Sequence, residues 1–127
     1  MSGLLLDTHV VLWLLDDSPR LGTGAREWIG RSPAVYVSAA STWELTIKAA
    51  LGKIALPDDF IDAIDRSGLR DLAFTRLHTL ASDLTALPHK DPFDAVLVAQ
   101  ATLERLTLLT ADSKLLKALP HAVDARL

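Results

Sequence analysis

An uninterrupted apolar triplet, Leu4-Leu5-Leu6, stands directly before an acid, Asp7, and the chain then runs into a second apolar stretch, Val10 to Leu15. A strand wetted on one face alternates apolar with polar residues. One without alternation must be covered on both faces, and such strands belong to parallel sheets flanked by helices. Leu4 to Leu6 is therefore expected to form a central strand. Asp7 falls at its carboxyl end, where open α/β sheets place their ligand sites. Asp7 or Thr8 also reads as a plain cap of the next helix, and the residue pattern leaves both readings open.

Val10 to Leu15 is apolar on every side of a helix and stops at Asp16-Asp17-Ser18-Pro19. One face is expected on the sheet, the other, with some of Val10, Val11, Trp13 and Leu14, at a subunit contact. A short helix over Gly24 to Ile29, anchored by Trp28 and Ile29, precedes the β-branched and aromatic Val35-Tyr36-Val37-Ser38, read as the second strand. A helix from Ser41 to Gly52 follows, with Ser41 and Glu44 at capping-box spacing. Asp58 opens another helix through Phe60, Ile61 and Ile64 to Ser67-Gly68, and these two are expected to pair as a hairpin with an apolar inner side.

Leu69 to Ala73 is a weak strand. Arg76 to Leu84 places Leu77, Leu80, Ala81 and Leu84 at helical spacing. After the loop Leu87 to Lys90, Asp91-Pro92-Phe93-Asp94 supplies an N-cap acid, a first-position proline and a first-turn acid. The helix continuing from Ala95 to Leu106 is expected to be the most buried, with Gln100, Glu104 and Arg105 on its wetter side. Leu106 to Leu109 is a further strand, Thr110-Ala111-Asp112 its exit, Ser113 to Leu119 a last helix, and Ala122-Val123 a small edge strand. The order specifies an α/β fold: a parallel sheet of four to five strands flanked by helices, in a single domain over residues 1–127.

Composition narrows the function. Sixteen acids stand against 13 lysines and arginines, a net charge of −3, which argues against coating nucleic acid through a basic stripe but not against an enzyme that meets phosphates through a metal. With no cysteine there is neither a disulfide nor a thiolate nucleophile nor a zinc–thiolate site. Mean hydropathy is +0.26, more than a monomer this small needs inside, so a second copy or partner is expected to cover some apolar surface. No apolar run has membrane-spanning length and no leader-like segment opens the chain, so an intracellular, cytoplasmic protein is expected.

Four acids recur at equivalent places: Asp7 after the first strand, Glu44 in the helix after the second, Asp94 in the first turn of the buried helix, and Asp112 after the strand of Leu106 to Leu109. In a parallel sheet these positions converge on one edge. Four carboxylates there repel one another unless a proton or a cation intervenes. Oxygen-only donors select a hard ion, Mg²⁺ or Mn²⁺, over zinc. Each acid also has a local use: Glu44 as a capping residue, Asp94 as a helix-dipole partner, Asp112 as a turn acid. Asp91 reads as a cap only.

The segments LLLDTHVVLWLL, SAASTWELTIKAALGKIALP, HKDPFDAVLVAQA and LLTADSKL resemble, in order, the PIN-domain ribonucleases, and more narrowly the toxin subunits of bacterial VapBC-type toxin–antitoxin pairs. The resemblance runs from about Leu4 to Asp124. It implies that Asp7, Glu44, Asp94 and Asp112 are metal-binding catalytic carboxylates, with Thr8 and Thr110 as polar neighbours that position water or an acid. It also implies Mg²⁺- or Mn²⁺-dependent cleavage of RNA that leaves a 5′-phosphate, homodimerisation, and inhibition by a small VapB-like antitoxin docking along the helical arm. The branch with a DPFD block often carries arginine after its second acid. This chain has Ala95 there, which removes any role of such an arginine in holding substrate or an acidic partner.

Lys48, Lys53, His89 and Lys90 are candidates for a narrow phosphate-contacting rim, though Lys48 and Lys53 equally suit the wet face of a helix pair. His9 reads as a packed or capping histidine, and the three tryptophans as core or interface anchors. Two other readings compete: a PIN-fold interaction module without nuclease activity, and a small Mg²⁺-dependent phosphatase on an open α/β sheet. Turnover of small phosphate esters rather than RNA separates the latter.

Overall fold

A computed structural model of the protein describes residues 3–87 and 90–127. Its centre is β1 (Leu4–Leu6), flanked by β2 (Val35–Ser38) and β4 (Thr107–Thr110), with β3 (Arg70–Leu72) and β5 (Val123–Asp124) outermost. All four pairings are parallel, in the order β3-β2-β1-β4-β5. Leu4, Leu5 and Leu6 are wholly buried, as a strand without alternation requires.

Successive side chains divide between two cores. Leu6, Val37 and Leu109 face one layer, packed with Val10 and Val11 of α1 (Thr8–Leu15) and Ala25 of α2 (Thr23–Arg31). Leu5, Leu108 and Tyr36 face the other, packed with Ala95, Leu97 and Ala101 of α6 (Pro92–Leu103) and Leu115 of α7 (Ser113–Ala118). The period of two along each strand thus builds helix–sheet–helix layering from very short strands.

Several expectations shift. The helix after β2, α3, spans Ala39–Ala50 and is capped by Ser38, whose hydroxyl accepts from the Ala40 amide at 3.0 Å. It starts two residues before the expected Ser41, so Ser41 and Glu44 form no capping box. α3 packs chiefly on α1, α6 and β2. α4 (Phe60–Arg66) instead sends Ile64 to the layer beneath α1 and α2, so the expected hairpin of α3 and α4 is not the main packing of either. Val10 and Val11 are fully buried within the chain and leave nothing for a subunit contact.

α5 (Arg76–Ala81) ends three residues early, before a short 3₁₀ turn at Leu84–Ala86. Its apolar spacing faces outward: Leu77 is 62% and Leu80 77% exposed, while His78 is buried. His78 and Gln100 explain the reversal. Gln100, expected on the wet side of α6, is fully buried. Its Oε1 accepts from Ser38 Oγ at 2.6 Å, and its Nε2 donates to the Ala73 carbonyl at 3.3 Å. His78 Nε2 lies 3.1 Å from Glu104 Oε1, and its Nδ1 accepts from the Thr75 amide at 3.0 Å. Buried polar groups that satisfy one another are tolerated, so this side of α5 carries hydrogen bonds and its leucines turn to solvent. Among the described residues no helix is long and apolar enough to cross a membrane.

Candidate functional site

The carboxyl ends of β1, β2 and β4 sit side by side, and the chain leaving each carries an acid or its support. A cavity of about 400 Å³ opens there, lined by Asp7, Glu44, Asp91, Asp94 and Asp112 together with Thr8, His9, Trp13, Lys48, Ala111 and Arg126. The four acids singled out from sequence are thus brought to one pocket. Asp7 (6% exposed), Glu44 (5%) and Asp94 (8%) are buried, whereas Asp112 is half-buried.

Each acid is held by the element it leaves or enters. The Asp7 amide donates to the Leu109 carbonyl at 2.9 Å, extending the β1–β4 pairing by one residue. Its Oδ1 accepts from the Thr8 amide at 2.7 Å as the cap of α1, and its Oδ2 accepts from Thr110 Oγ1 at 2.7 Å. Capping and site placement, alternatives in the sequence, are both properties of Asp7. Thr110 Oγ1 also accepts the Asp112 amide at 3.0 Å, while Asp112 Oδ1 caps α7 by accepting from the Lys114 and Leu115 amides at 2.8 and 3.4 Å. One hydroxyl therefore ties the β1 acid to the β4 exit.

Glu44 lies one turn into α3 and faces inward. Thr8 Oγ1 donates to its Oε1 at 2.7 Å and lies 3.0 Å from Ser41 Oγ. A hydroxyl has one proton to give, so Thr8 gives it to the carboxylate and can take one from Ser41. Asp91 accepts at Oδ1 from the Phe93 amide at 2.8 Å and from the Asp94 amide at 3.3 Å, the expected cap, with Pro92 at the first helical position. Trp43 and Phe93, each one residue before a buried acid, meet edge to face with centroids 5.6 Å apart. This pair bridges α3 and α6. Trp43 is 57% exposed, so of the core or interface roles expected of the tryptophans it does not take the core one.

The electrostatics follow from burial. Desolvation pushes the Asp7 carboxyl above the usual Asp range; the Thr110 and Thr8 hydrogen bonds and the His9 charge oppose this, and Glu44 adds repulsion. Lys48 supplies the counter-charge, with Nζ 2.8 Å from Glu44 Oε2 one turn on in α3. Its pKa is raised, first by that hydrogen bond and further by the charges of Glu44, Asp91 and Asp94 against a desolvation cost. Lys48 is thus part of the acidic wall, whereas Lys53 is exposed and lines no part of the pocket. His89 lies outside the described residues. His9 is exposed and lines the pocket, contrary to the packed role expected.

Arg126 at the pocket was not foreseen. It belongs to no motif, and only the closure of β5 onto β4 brings it there. The donor chemistry suits a hard divalent cation: carboxylate oxygens only, three of them buried, with hydroxyls orienting two. Among the described residues, however, no three acids or histidines converge closely enough to enclose an ion. The Lys48 ammonium already holds one oxygen of Glu44. The set fits a hard cation in kind and charge, since Mg²⁺ keeps several of its waters and takes as few as one or two carboxylates directly.

A family model for the PIN domain matches residues 4–120. None of the curated proteins matches significantly. Among solved structures, the fold is similar to a toxin–antitoxin complex from Klebsiella pneumoniae, with 19% identity over 96% of this chain and 97% of that one at a TM-score of 0.64. It is similar to VapBC2 from Rickettsia felis bound to a DNA fragment from their promoter, at 18% identity, 95% and 96% coverage and a TM-score of 0.65. It is similar also to FitAcB from Neisseria gonorrhoeae, at 22% identity, 95% and 96% coverage and a TM-score of 0.64. At these identities the likeness is one of fold.

Proposed function

The chain belongs to the PIN-domain family, whose members are generally nucleases, and from that premise we propose that it is a Mg²⁺- or Mn²⁺-dependent endoribonuclease, the toxin of a VapBC-type pair. One observation carries the proposal: acids from separate elements line one pocket at the carboxyl edge of the sheet, with Asp7, Glu44 and Asp94 buried there. Burying three carboxylates together stabilises nothing by itself. It suits a fold that holds negative charge ready for a cation.

In this reading Asp7, Glu44, Asp94 and Asp112 hold the ion, which when bound supplies Lewis-acid polarisation of the phosphoryl group and a lowered pKa for water. Thr110 fixes Asp7, and Thr8 fixes Glu44, so both carboxylates reach the pocket in set orientations. Lys48 balances Glu44 when no ion is present. The amides that open α6 and α7 are taken by Asp91 and Asp112, so those carboxylates, not substrate phosphate, occupy the positive ends of these helices. Proton uptake by the leaving oxygen falls to solvent or to a pocket carboxyl.

The same reading makes the protein a single cytoplasmic PIN domain over residues 1–127, with an RNA substrate, a VapB-like antitoxin as partner, and a homodimeric assembly. The antitoxin is motivated by the fold shared with toxin–antitoxin structures. Dimerisation has a better seat than α1, because Leu77 and Leu80 project from one side of α5 at 62% and 77% exposure. Sedimentation at tens of micromolar should give a dimer that Leu80→Glu weakens; monomer alone removes that part of the reading.

The enzyme assay decides the rest. Antitoxin-free protein should cleave RNA with Mg²⁺ or Mn²⁺ and stop in excess chelator. Asp94→Asn should fold and not cleave. Full cleavage by a folded Asp94→Asn protein sinks the site, and cleavage that persists in chelator sinks the metal mechanism.

A further inference from the structure

An acidic pocket repels the phosphodiester chain that a ribonuclease must admit, so a cation fixed at its rim has work to do before any chemistry. Among the described lining residues the permanent cations are Lys48 and Arg126. Lys48 is engaged with Glu44 at 2.8 Å. Arg126 touches none of the four site acids in the bonds it makes: Nε donates to Asp124 Oδ1 at 2.9 Å and Nη2 to Asp124 Oδ2 at 2.8 Å. Nη1 lies outside that fork, and the side chain is 52% exposed.

The backbone beneath Arg126 is fastened from two sides. The Ala125 amide donates to the Thr110 carbonyl at 2.8 Å, the Gly22 amide to the Ala125 carbonyl at 2.9 Å, and the Ala25 amide to the Leu127 carbonyl at 2.8 Å. Ala125 is fully buried. The approach to α2 is so close that a Cβ on Gly22 would lie 2.3 Å from the Leu127 carbonyl carbon and 2.6 Å from the Arg126 carbonyl oxygen. This fastening gives amides at the start of α2 their acceptors. It fixes where the guanidinium emerges, and Asp124 fixes how it is turned.

We infer that Arg126 is a substrate-positioning residue: its guanidinium, braced by Asp124, takes a phosphate oxygen of the RNA strand at the mouth of the acidic pocket. The inference rests on the nuclease reading above and names the contact that reading lacks. Arginine suits the task because one edge of its planar fork can bind a carboxylate while the remaining N–H groups face a phosphate. Asp124 Oδ1 also accepts the Arg126 amide at 2.9 Å, so one carboxylate holds both the backbone and the guanidinium of Arg126.

The test compares wild type, Arg126→Ala and Arg126→Lys for RNA cleavage in Mg²⁺, for binding of a labelled single-stranded RNA in Ca²⁺ across a salt series, and for melting with and without Mg²⁺. Arg126→Ala should raise KM about tenfold, the loss of one charge-assisted hydrogen bond, with kcat little changed. The slope of log binding constant against log salt should shrink by about 0.7, one phosphate contact on a single strand. Arg126→Lys should recover the slope but only part of the KM, having charge without the fork. The Mg²⁺-induced rise in melting temperature should be the same in all three. An Arg126→Ala protein with wild-type KM and salt slope overturns the inference while the nuclease reading stands. Loss of the Mg²⁺ shift in step with RNA binding also overturns it, since Arg126 would then act through the carboxylates. A wild type that neither binds nor cuts RNA removes the nuclease reading and this inference together.

Discussion

The two edges of the sheet carry two different kinds of hollow. At the amino-terminal edge a cavity of about 590 Å³ lies among Leu14, Leu15, Ile29, Val35, Leu69 and Arg70, with no carboxylate in its lining. At the carboxyl edge the smaller cavity, about 400 Å³, gathers five acids. The roomier one lies where α2 and α4 hand the chain back to β2 and β3. The smaller one arises where strands end and helices begin, so side chains converge from several elements. Volume alone would select the amino-terminal edge; the site proposed here rests instead on the donors that converge at the other.

The largest expected effect breaks the comparison outright. Asp94→Asn and Asp7→Asn at the carboxyl edge should each reduce Mg²⁺-dependent RNA cleavage by orders of magnitude, while Arg70→Ala at the amino-terminal edge should leave it near wild type. A gel assay of one RNA, beside melting curves for all three variants, measures this. Equal losses at both edges would mean that stability, not the acidic pocket, is being read.

Next in size is the response to the ion. Binding confined to the folded state at a hundred times Kd should stabilise the protein by about 2.7 kcal/mol, seen as a rise in melting temperature with Mg²⁺ or Mn²⁺. Asp7→Asn and Asp94→Asn should abolish the rise and Arg70→Ala should keep it. An unshifted wild-type melt across millimolar Mg²⁺ and Mn²⁺ would count against a cation site.

Within the pocket, Asp91 sharpens the contrast between lining and function. Its Oδ1 is spent on the first amides of α6, so Asp91→Ala should cost about 1 kcal/mol of stability, the usual loss of an N-cap, with cleavage per folded molecule retained. Denaturant titration and the cleavage assay on the same preparation separate the two. A cleavage loss as deep as that of Asp94→Asn would make Asp91 part of the site.

The gentlest effect is the pH dependence of the metal-free protein. Burial holds the Asp7 carboxyl above its ordinary value of 3.8, so the folded state binds that proton more tightly than the unfolded chain does. Its contribution to stability therefore falls as pH rises from about 3.8 through the raised folded value, then levels off. Asp7→Asn, which resembles the protonated form, should lack this decline, and the stability gap should grow in the variant's favour across that window. Parallel pH profiles for the two proteins would show that Asp7 is not desolvated.

Much of this was written in local pattern. The unalternating Leu4 to Leu6, the Asp91-Pro92 start of α6 and the acids Asp7, Asp94 and Asp112 at element ends each depend on neighbours in sequence, and each appears where expected. What escaped the pattern depends on tertiary pairing. Gln100 and His78 are polar residues that a helical reading assigns to water, yet Ser38, Ala73 and Glu104, remote in sequence, satisfy them. Leu77 and Leu80 stand at the spacing of a helix's apolar face, yet that face is turned to solvent. The capping use open to Glu44 in the sequence falls away because spacing cannot reveal that α3 starts at Ala39. Arg126 reaches the pocket through the register of a two-residue strand, Val123 opposite Leu109 and Asp124 opposite Thr110.

The hydrogen bond from Thr110 to Asp7 spans 103 residues of chain. β1 is the first strand to be synthesised, yet one of its two neighbours is the fourth. Parallel pairings this remote in sequence must pay their loop-closure entropy before they return anything, and they form late. On the ribosome the amino-terminal half therefore waits with one side of its central strand unpaired, and Asp7 has neither Thr110 nor Asp112 beside it. The pocket lining is complete only when the chain has emerged as far as Arg126. In the nuclease reading proposed above, this strand order keeps Asp7 apart from Thr110 and Asp112 until β4 and the start of α7 have been made.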